Sequence, residues 1–150
     1  FDNVSFGNII SDATDGWINS IAGEVDKIKN VIDGVLWTFS NDIRVIRNLN
    51  SNEFANRTKE EAYFQVDMPF RVWLSSIQPD DSKEEKIKEW RAILRTIVKK
   101  EAQKLVDSAG NRDFIGIEDG AHVKNIFTAY NRFNWKLNEQ LPKEEEEERK

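Results

Sequence analysis

Cysteine is absent from this sequence, and proline and glycine are scarce, with three and seven residues among 150. The absence of cysteine excludes disulfides, thiolate metal sites and a cysteine nucleophile. It also fits a reducing compartment, and we expect a cytoplasmic location. Sandwich and barrel folds need many tight turns, which are rich in proline and glycine. The scarcity of these two residues therefore disfavours a fold built from many short strands.

Long apolar runs and catalytic motifs are also absent. No stretch approaches the roughly 18 apolar residues of a membrane span, and no secretory signal is recognisable. A general base needs a nearby nucleophile or carboxylate, and nothing in the sequence places one beside His122, the only histidine. Zinc-protease, hydrolase, phosphate-loop, dinucleotide and calcium-loop motifs do not occur. We expect a protein that is not an enzyme, binds no cofactor, metal ion or small-molecule substrate, and makes no membrane contact.

The charge of the chain is acidic overall but unevenly distributed. The net charge is −5. The segment 83–104 is basic, with eight lysines and arginines against four glutamates, whereas the last eight residues contain five glutamates. The acidic total argues against indiscriminate nucleic-acid binding and leaves room for a local contact. We expect one helical domain over residues 1–141, as a fragment of a longer protein, and an acidic disordered tail over 142–150.

Apolar spacing predicts a long first helix. Between Ile18 and Ile46, apolar residues recur at near-heptad spacing, which indicates one helix over residues 14–49. Gly34 leaves open a break into two helices, because glycine weakens a helix interior. Residues 1–10 contain apolar side chains without a clean period, and they are expected to form a lead-in strand or an extended arm.

Two further helices are predicted on either side of a break at Gln78-Pro79-Asp80-Asp81. Apolar stripes with helical spacing run through both, formed by Tyr63, Val66, Phe70, Trp73 and Ile77 and by Ile87, Trp90, Leu94 and Ile97 or Val98. Capping-box patterns at Thr58–Glu61 and Ser82–Glu85 predict where the two helices begin. Pro69 predicts a kink or local break in the first of them.

The end of the third helix and a fourth helix complete the prediction. Gly110 is expected as a left-handed cap after a helix end near Asp107, and residues 111–120 as a loop. The fourth helix carries an apolar face and ends before Pro142; the face is formed by Val123, Ile126, Tyr130, Phe133 and Leu137. Four helices with short connections predict an all-α fold, an antiparallel four-helix bundle with a long first helix and a short N-terminal lead-in.

Basic residues on two helices form the candidate site. Lys88, Arg91, Arg95 and Lys99 share one face of the third helix. Lys100 and Lys104 form a neighbouring row, and Arg132 and Lys136 on the fourth helix are candidates to extend the stripe. A solvated face is the simplest interpretation of this pattern. The same pattern would also suit the phosphates of a nucleic acid or an acidic surface of a partner protein.

The five tryptophans divide into core and surface candidates. Trp73 and Trp90 flank the predicted break and are expected in the core. Trp37 and Trp135 lie off the main apolar stripes. We expect one or both of them to cover a second helix layer or a partner surface.

The order of punctuating residues resembles one family. The pattern is carried by Tyr63-Phe64, Pro69-Phe70, Trp73-Leu74, Pro79-Asp80, Trp90-Arg91, Leu105-Val106 and Gly110, with Leu36-Trp37-Thr38-Phe39 before them. It is similar to the C-terminal helical domain of CasA, the large subunit of the type I-E CRISPR Cascade complex, over most of residues 18–141.

The resemblance implies an interaction module for antiviral defence. Such a domain would dock on other Cascade subunits, the small subunit especially, near the displaced strand of target DNA that the CRISPR RNA selects by base pairing. It would support target DNA binding and recruitment of the helicase-nuclease. The alternative is a freestanding helical structural or regulatory protein-interaction bundle unrelated to CRISPR.

Overall fold

A computed structural model describes residues 17–112 and 119–143, with side chains described for 17–109 and 124–143. Within these ranges all regular structure is helical, which confirms the all-α class. The elements are α1 (Ile18–Lys29), a π-helical segment (Asn30–Leu36), α2 (Trp37–Ile46), α3 (Glu53–Ser75), α4 (Lys83–Arg112) and α5 (Asp119–Gln140). The predicted lead-in at residues 1–10, the inward loop residues Phe114, Ile115 and Ile117, and the tail beyond Lys143 lie outside the described residues.

The first long helix is continuous from Ile18 to Ile46, because α1, the π-helical segment and α2 follow one another directly. The break at Gly34 does not occur, and Gly34 lies inside the π-helical segment. The helix ends three residues earlier than predicted, because Asn48 adopts a left-handed conformation with φ 59°. The Leu49 N–H donates to the Arg44 carbonyl and the Asn48 N–H to the Val45 carbonyl, each at 3.0 Å. These two bonds form a Schellman motif.

The start of α3 corrects the first capping-box prediction. The helix begins at Glu53, five residues before the predicted start. The Glu53 N–H instead lies 3.3 Å from the Ser51 hydroxyl. Thr58 is one turn inside the helix, where its hydroxyl donates to the Phe54 carbonyl at 3.0 Å. A threonine can satisfy its hydroxyl in this way in a helix interior, so its capping pattern was misleading.

The break between α3 and α4 is where the sequence predicts it. α3 continues through Pro69 without a local break and ends at Ser75. Ser82 caps α4, because its hydroxyl accepts the Glu85 N–H at 3.3 Å. The predicted end of this helix near Asp107 is wrong, since α4 runs to Arg112 and Gly110 lies within it. A glycine costs a helix only about 1 kcal/mol, which the rest of α4 can offset.

The four helices pack around a shared core rich in aromatic rings. Phe70, Trp73 and Trp90 are mutually in contact, with ring centroids 5.0–5.7 Å apart. Trp90 is fully buried, and the Trp73 indole N–H donates to the Lys86 carbonyl at 2.8 Å. Phe39 and Phe133 form a second aromatic contact between the first long helix and α5. The prediction that Trp73 and Trp90 are core residues is confirmed.

Candidate interaction surface

The eight predicted basic residues do not form one stripe but divide into four groups. On α4, Arg91 contacts α1, Arg95 contacts α5 and Lys104 contacts α3. On α5, Arg132 contacts α2. This division follows from helix geometry, because residues nine positions apart, such as Arg95 and Lys104, lie on opposite sides of a helix.

Arg91 belongs to the packing of the helices. Its Nε and Nη2 donate to both carboxylate oxygens of Glu24 on α1, at 2.9 and 2.8 Å. Glu24 is 3% exposed, so its charge is almost fully removed from water. A buried carboxylate requires such a partner, because an unpaired charge in the interior is strongly unfavourable. The guanidinium of Arg91 therefore neutralises the buried carboxylate of Glu24.

The second group lies where α4 meets the end of α5. Arg95 Nη2 donates to the Asn138 side-chain oxygen, and Arg95 Nε is buried without a hydrogen-bond partner in the described part of the chain. Burial lowers the pKa of Lys99, and the nearby charges of Arg95 and Lys143 lower it further. We call Lys88, Arg95, Lys99 and Lys143 the α4–α5 basic cluster.

No carboxylate of the described residues forms an ion pair with any member of the α4–α5 basic cluster. Lys88 lies seven residues, or about 10 Å along the helix, from Arg95 on the same face. Lys143 follows the end of α5 and is exposed. The cluster is thus a local concentration of positive charge on an otherwise acidic chain.

Lys100 and Lys104 point away from this cluster. Lys100 is exposed. Lys104 lies 3.2 Å from buried Glu101 and 3.6 Å from Glu61 on α3. The hydrogen bond to Glu101 raises the pKa of Lys104. Burial opposes this rise, and the negative charges of Glu101 and Glu61 support it. Lys104 therefore neutralises a buried carboxylate at the α3–α4 contact.

Arg132 and Lys136 lie on the side of α5 that faces α2. Arg132 Nη1 is 3.4 Å from Asp42 Oδ2. Both side chains line a shallow hollow together with Val35, Phe39 and Asp42. The hollow is too small to hold a water molecule. Burial raises the pKa of Asp42, and the charges of Arg132 and Lys136 oppose that rise. The hollow is therefore part of the packed contact between α2 and α5, with the Arg132–Asp42 ion pair at its edge.

Groups that could hold a metal ion are not found among the described residues: no three His, Asp or Glu side chains there come together in a suitable cluster. The side chain of His122 lies outside the described residues. None of the described helices has the length and apolar character needed to cross a membrane.

Sequence reasoning missed an exposed apolar row on α3. Phe64, Met68 and Val72 are 77%, 64% and 60% exposed. Their spacing of four places them along one side of the helix, opposite the buried stripe that contains Val66 and Phe70. The spacing is visible in the sequence, but the core stripe of the same helix is longer and gives the stronger periodic signal.

The two surface tryptophans differ in their surroundings. Trp135 is 61% exposed on α5, with Phe127 exposed two turns before it. Trp37 is partly buried, and its indole N–H donates to the Asn56 side chain at 3.2 Å. Trp135 thus remains a candidate for a partner surface, whereas Trp37 joins the first long helix to α3.

No protein-family model, no curated protein and no solved structure matches this chain.

Proposed function

We propose that this chain is a non-catalytic interaction module, equivalent to the C-terminal helical domain of the large subunit of a type I-E Cascade complex. Its α4–α5 basic cluster contacts phosphates of the displaced DNA strand by charge neutralisation, without reading sequence. Other surfaces of the module dock on neighbouring Cascade subunits and support recruitment of the helicase-nuclease. The complex acts in the cytoplasm, and the module itself uses no cofactor.

The observation that carries the DNA contact is the unneutralised charge of the α4–α5 basic cluster. Arg91 and Lys104 each hold a buried carboxylate, and Arg132 pairs with Asp42. Lys88, Lys99 and Lys143 have no such pairing among the described residues, and Lys99 lies near the charges of both Arg95 and Lys143. Positive charges that repel one another are stabilised by an anion, and a phosphate backbone supplies a row of them. The family assignment rests on the sequence resemblance.

We further propose an antiparallel four-helix arrangement for the module. Contacts between the first long helix and α5 run in opposite chain directions, since Lys27 Nζ donates to the Gln140 carbonyl and Arg132 pairs with Asp42. On α3 and α4, Trp73 contacts Lys86 and Glu61 contacts Lys104 in the same opposed order. Both pairs of contacts support antiparallel neighbours.

The test uses Cascade that contains the full large subunit. Lys88→Glu and Lys99→Glu are introduced together, and target DNA binding is measured at several salt concentrations. Assembly is expected to be normal, while binding weakens and its salt dependence decreases, because two phosphate contacts are lost. Lys29→Glu with Lys100→Glu is the matched control, since both lysines are exposed and lie outside the cluster.

Three other outcomes are informative. Failure of the Lys88 and Lys99 variant to assemble would favour an acidic protein partner for the cluster. If both assembly and DNA binding are unchanged, the cluster is only a solvated face of the helix, and the proposed DNA contact is wrong. An initiator methionine encoded directly upstream of Phe1 would contradict the assignment to a domain of a larger subunit.

The second candidate is a freestanding protein-interaction bundle, and the exposed row Phe64, Met68 and Val72 favours it. Three large apolar side chains in line on one helix form a surface of the kind that partner helices cover. Under this hypothesis, Phe64→Ser with Met68→Ser abolishes partner binding in pull-down experiments and leaves stability unchanged. DNA affinity that depends on Lys88 and Lys99 would instead favour the first proposal.

A further inference from the structure

The outer surface of α5 combines aromatic rings with polar and basic side chains. Phe127 and Trp135 are 66% and 61% exposed. They are eight positions apart, which places them on one side of the helix and about 12 Å from each other along it. The exposed Asn131 lies one turn from each of them, and all three charged residues from 124 to 138 are basic. We call Phe127 and Trp135 the α5 aromatic pair.

Trp135 adjoins the α4–α5 basic cluster. Asn138 follows Trp135 by three residues, so the two side chains are neighbours on the surface of α5, with Cβ atoms about 5–6 Å apart. The side-chain oxygen of Asn138 accepts a hydrogen bond from Arg95 Nη2. The indole of Trp135 and the guanidinium of Arg95 are therefore both neighbours of Asn138. An exposed ring and basic side chains thus meet where α4 contacts α5.

The composition of this surface differs from that of the exposed row on α3. Phe64, Met68 and Val72 form an uninterrupted apolar row, which suits the apolar face of a helix. In the α5 aromatic pair the two rings are separated by Asn131, whose amide an apolar partner would leave without hydrogen bonds. A nucleobase offers a flat π surface to a ring and polar edges to an amide, and its phosphate carries the charge that basic side chains bind. The base must be unpaired, because both faces of a base are covered inside a duplex.

We propose that the α5 aromatic pair stacks on bases of single-stranded DNA while the α4–α5 basic cluster neutralises the phosphates of the same strand. The 12 Å between the two rings corresponds to about three or four nucleotides of a stacked strand. Stacking tolerates any sequence, since every base has a π face. This inference rests on the proposed DNA contact, and it adds the requirement that the DNA be single-stranded.

An abasic strand separates stacking from charge neutralisation, because it has the phosphates of DNA and no bases. The affinity of the 150-residue chain is measured for a short oligothymidylate and for an abasic strand of the same length. Trp135→Ala and Phe127→Ala should each lower the affinity for the oligothymidylate about tenfold and leave that for the abasic strand unchanged. Trp135→Phe, which keeps a ring, should retain most of the affinity. The salt dependence should not change, because the phosphate contacts remain.

Phe64→Ala is the matched control, since Phe64 is an exposed ring on α3, and it should change neither affinity. Unchanged oligothymidylate affinity in the Trp135→Ala chain would overturn the proposal. An equal loss for both strands would overturn it as well, because the indole would then not act through bases. Lost Cascade assembly with unchanged DNA affinity would assign the pair to a protein partner instead.

The same measurements distinguish this inference from the proposed function. If the chain binds both strands equally and Lys88→Gln with Lys99→Gln weakens both, the phosphate contact stands and the stacking is wrong. If oligothymidylate binding depends on Trp135 but not on Lys88 and Lys99, the stacking stands and the phosphate contact is wrong. If the chain binds neither strand, both proposals are wrong.

Discussion

Arg91 and Arg132 both pair with a carboxylate from the first long helix, but the two carboxylates differ in burial. Glu24, the partner of Arg91, has a side chain 4% exposed, and Asp42, the partner of Arg132, one 27% exposed. The Arg91 bond is also bidentate and short, whereas Arg132 makes a single contact at 3.4 Å. Burial and geometry together make the Arg91 pair the structural one.

Arg91→Ala is therefore expected to lower the free energy of unfolding by about 3 kcal/mol, since it leaves Glu24 buried without its partner. Arg132→Ala, the matched control at an exposed pair, should cost less than about 1 kcal/mol. Urea denaturation of both variants provides the comparison. Equal losses would mean that the Glu24–Arg91 pair is not the structural contact described here.

Tyr63 gives a pH-dependent prediction. Burial raises the pKa of its phenol, and the hydrogen bond to Asp33 at 2.9 Å and the Asp33 charge raise it further. A raised pKa in the folded state adds stability that is fully present below the unfolded pKa of about 10 and is lost as the pH rises through the folded value. Tyr63→Phe should accordingly flatten the decline of stability above about pH 10.

The direct measurement is the formation of tyrosinate, followed by ultraviolet absorbance in a Tyr130→Phe chain, where Tyr63 is the single remaining tyrosine. We expect its titration above the range of the same chain unfolded in urea. Coincident titrations of the folded and unfolded chains would show that neither the burial of the Tyr63 phenol nor its bond to Asp33 persists in solution.

At the residue scale, the sequence could not show which basic residues take part in helix packing and which are available to a binding partner. Arg91 and Arg95 share a face of one helix and differ only in what lies opposite. Their partners, Glu24 and Asn138, are 67 and 43 positions away. No helical periodicity reports such a pairing, because it depends on how helices pack rather than on how each one forms.

At the element scale, the structure distinguishes two serine or threonine residues with the same capping pattern. Ser82 accepts the Glu85 N–H at the start of α4, whereas Thr58 lies inside α3. Ser82→Ala should therefore cost about 1 kcal/mol of unfolding free energy, as for other helix caps.

Thr58→Ala is the control and should change stability by less than about 0.5 kcal/mol, because alanine is the better residue in a helix interior. Thermal or urea unfolding of the two variants decides between the assignments. A larger loss at Thr58 than at Ser82 would restore the start of α3 to the position that the sequence predicts.

Apolar periodicity predicted where the helices lie, whereas capping patterns predicted their ends only in part: Ser82 caps α4 as predicted, but Thr58 lies inside α3. The stripes around Trp73 and Trp90 placed α3 and α4 on either side of Pro79, and the structure confirms both. The helix ends were set by features with weak sequence signals. Asn48 ends the first long helix in a left-handed conformation. Gly110 lies inside α4, although glycine often marks the end of a helix.

At the scale of the whole molecule, composition was sufficient for the fold class and insufficient for the site. Scarce proline and glycine with helical apolar spacing predict four helices, because such a chain can bury its apolar surface in few other ways. The candidate site was predictable as basic residues on α4. Its reduction to Lys88, Arg95 and Lys99, joined by Lys143, required the packed helices, since only packing shows which charges carboxylates already neutralise.

The central claim is that the α4–α5 basic cluster neutralises phosphates, and the salt dependence of DNA binding tests it most directly. Binding of single-stranded DNA to the chain is measured over a range of salt concentrations. Adding Lys88→Gln and Lys99→Gln should reduce the slope of log affinity against log salt by about 1.4, or about 0.7 for each lost contact. Lys29→Gln with Lys100→Gln should leave the slope unchanged. Equal slopes for the cluster and control variants would contradict the account.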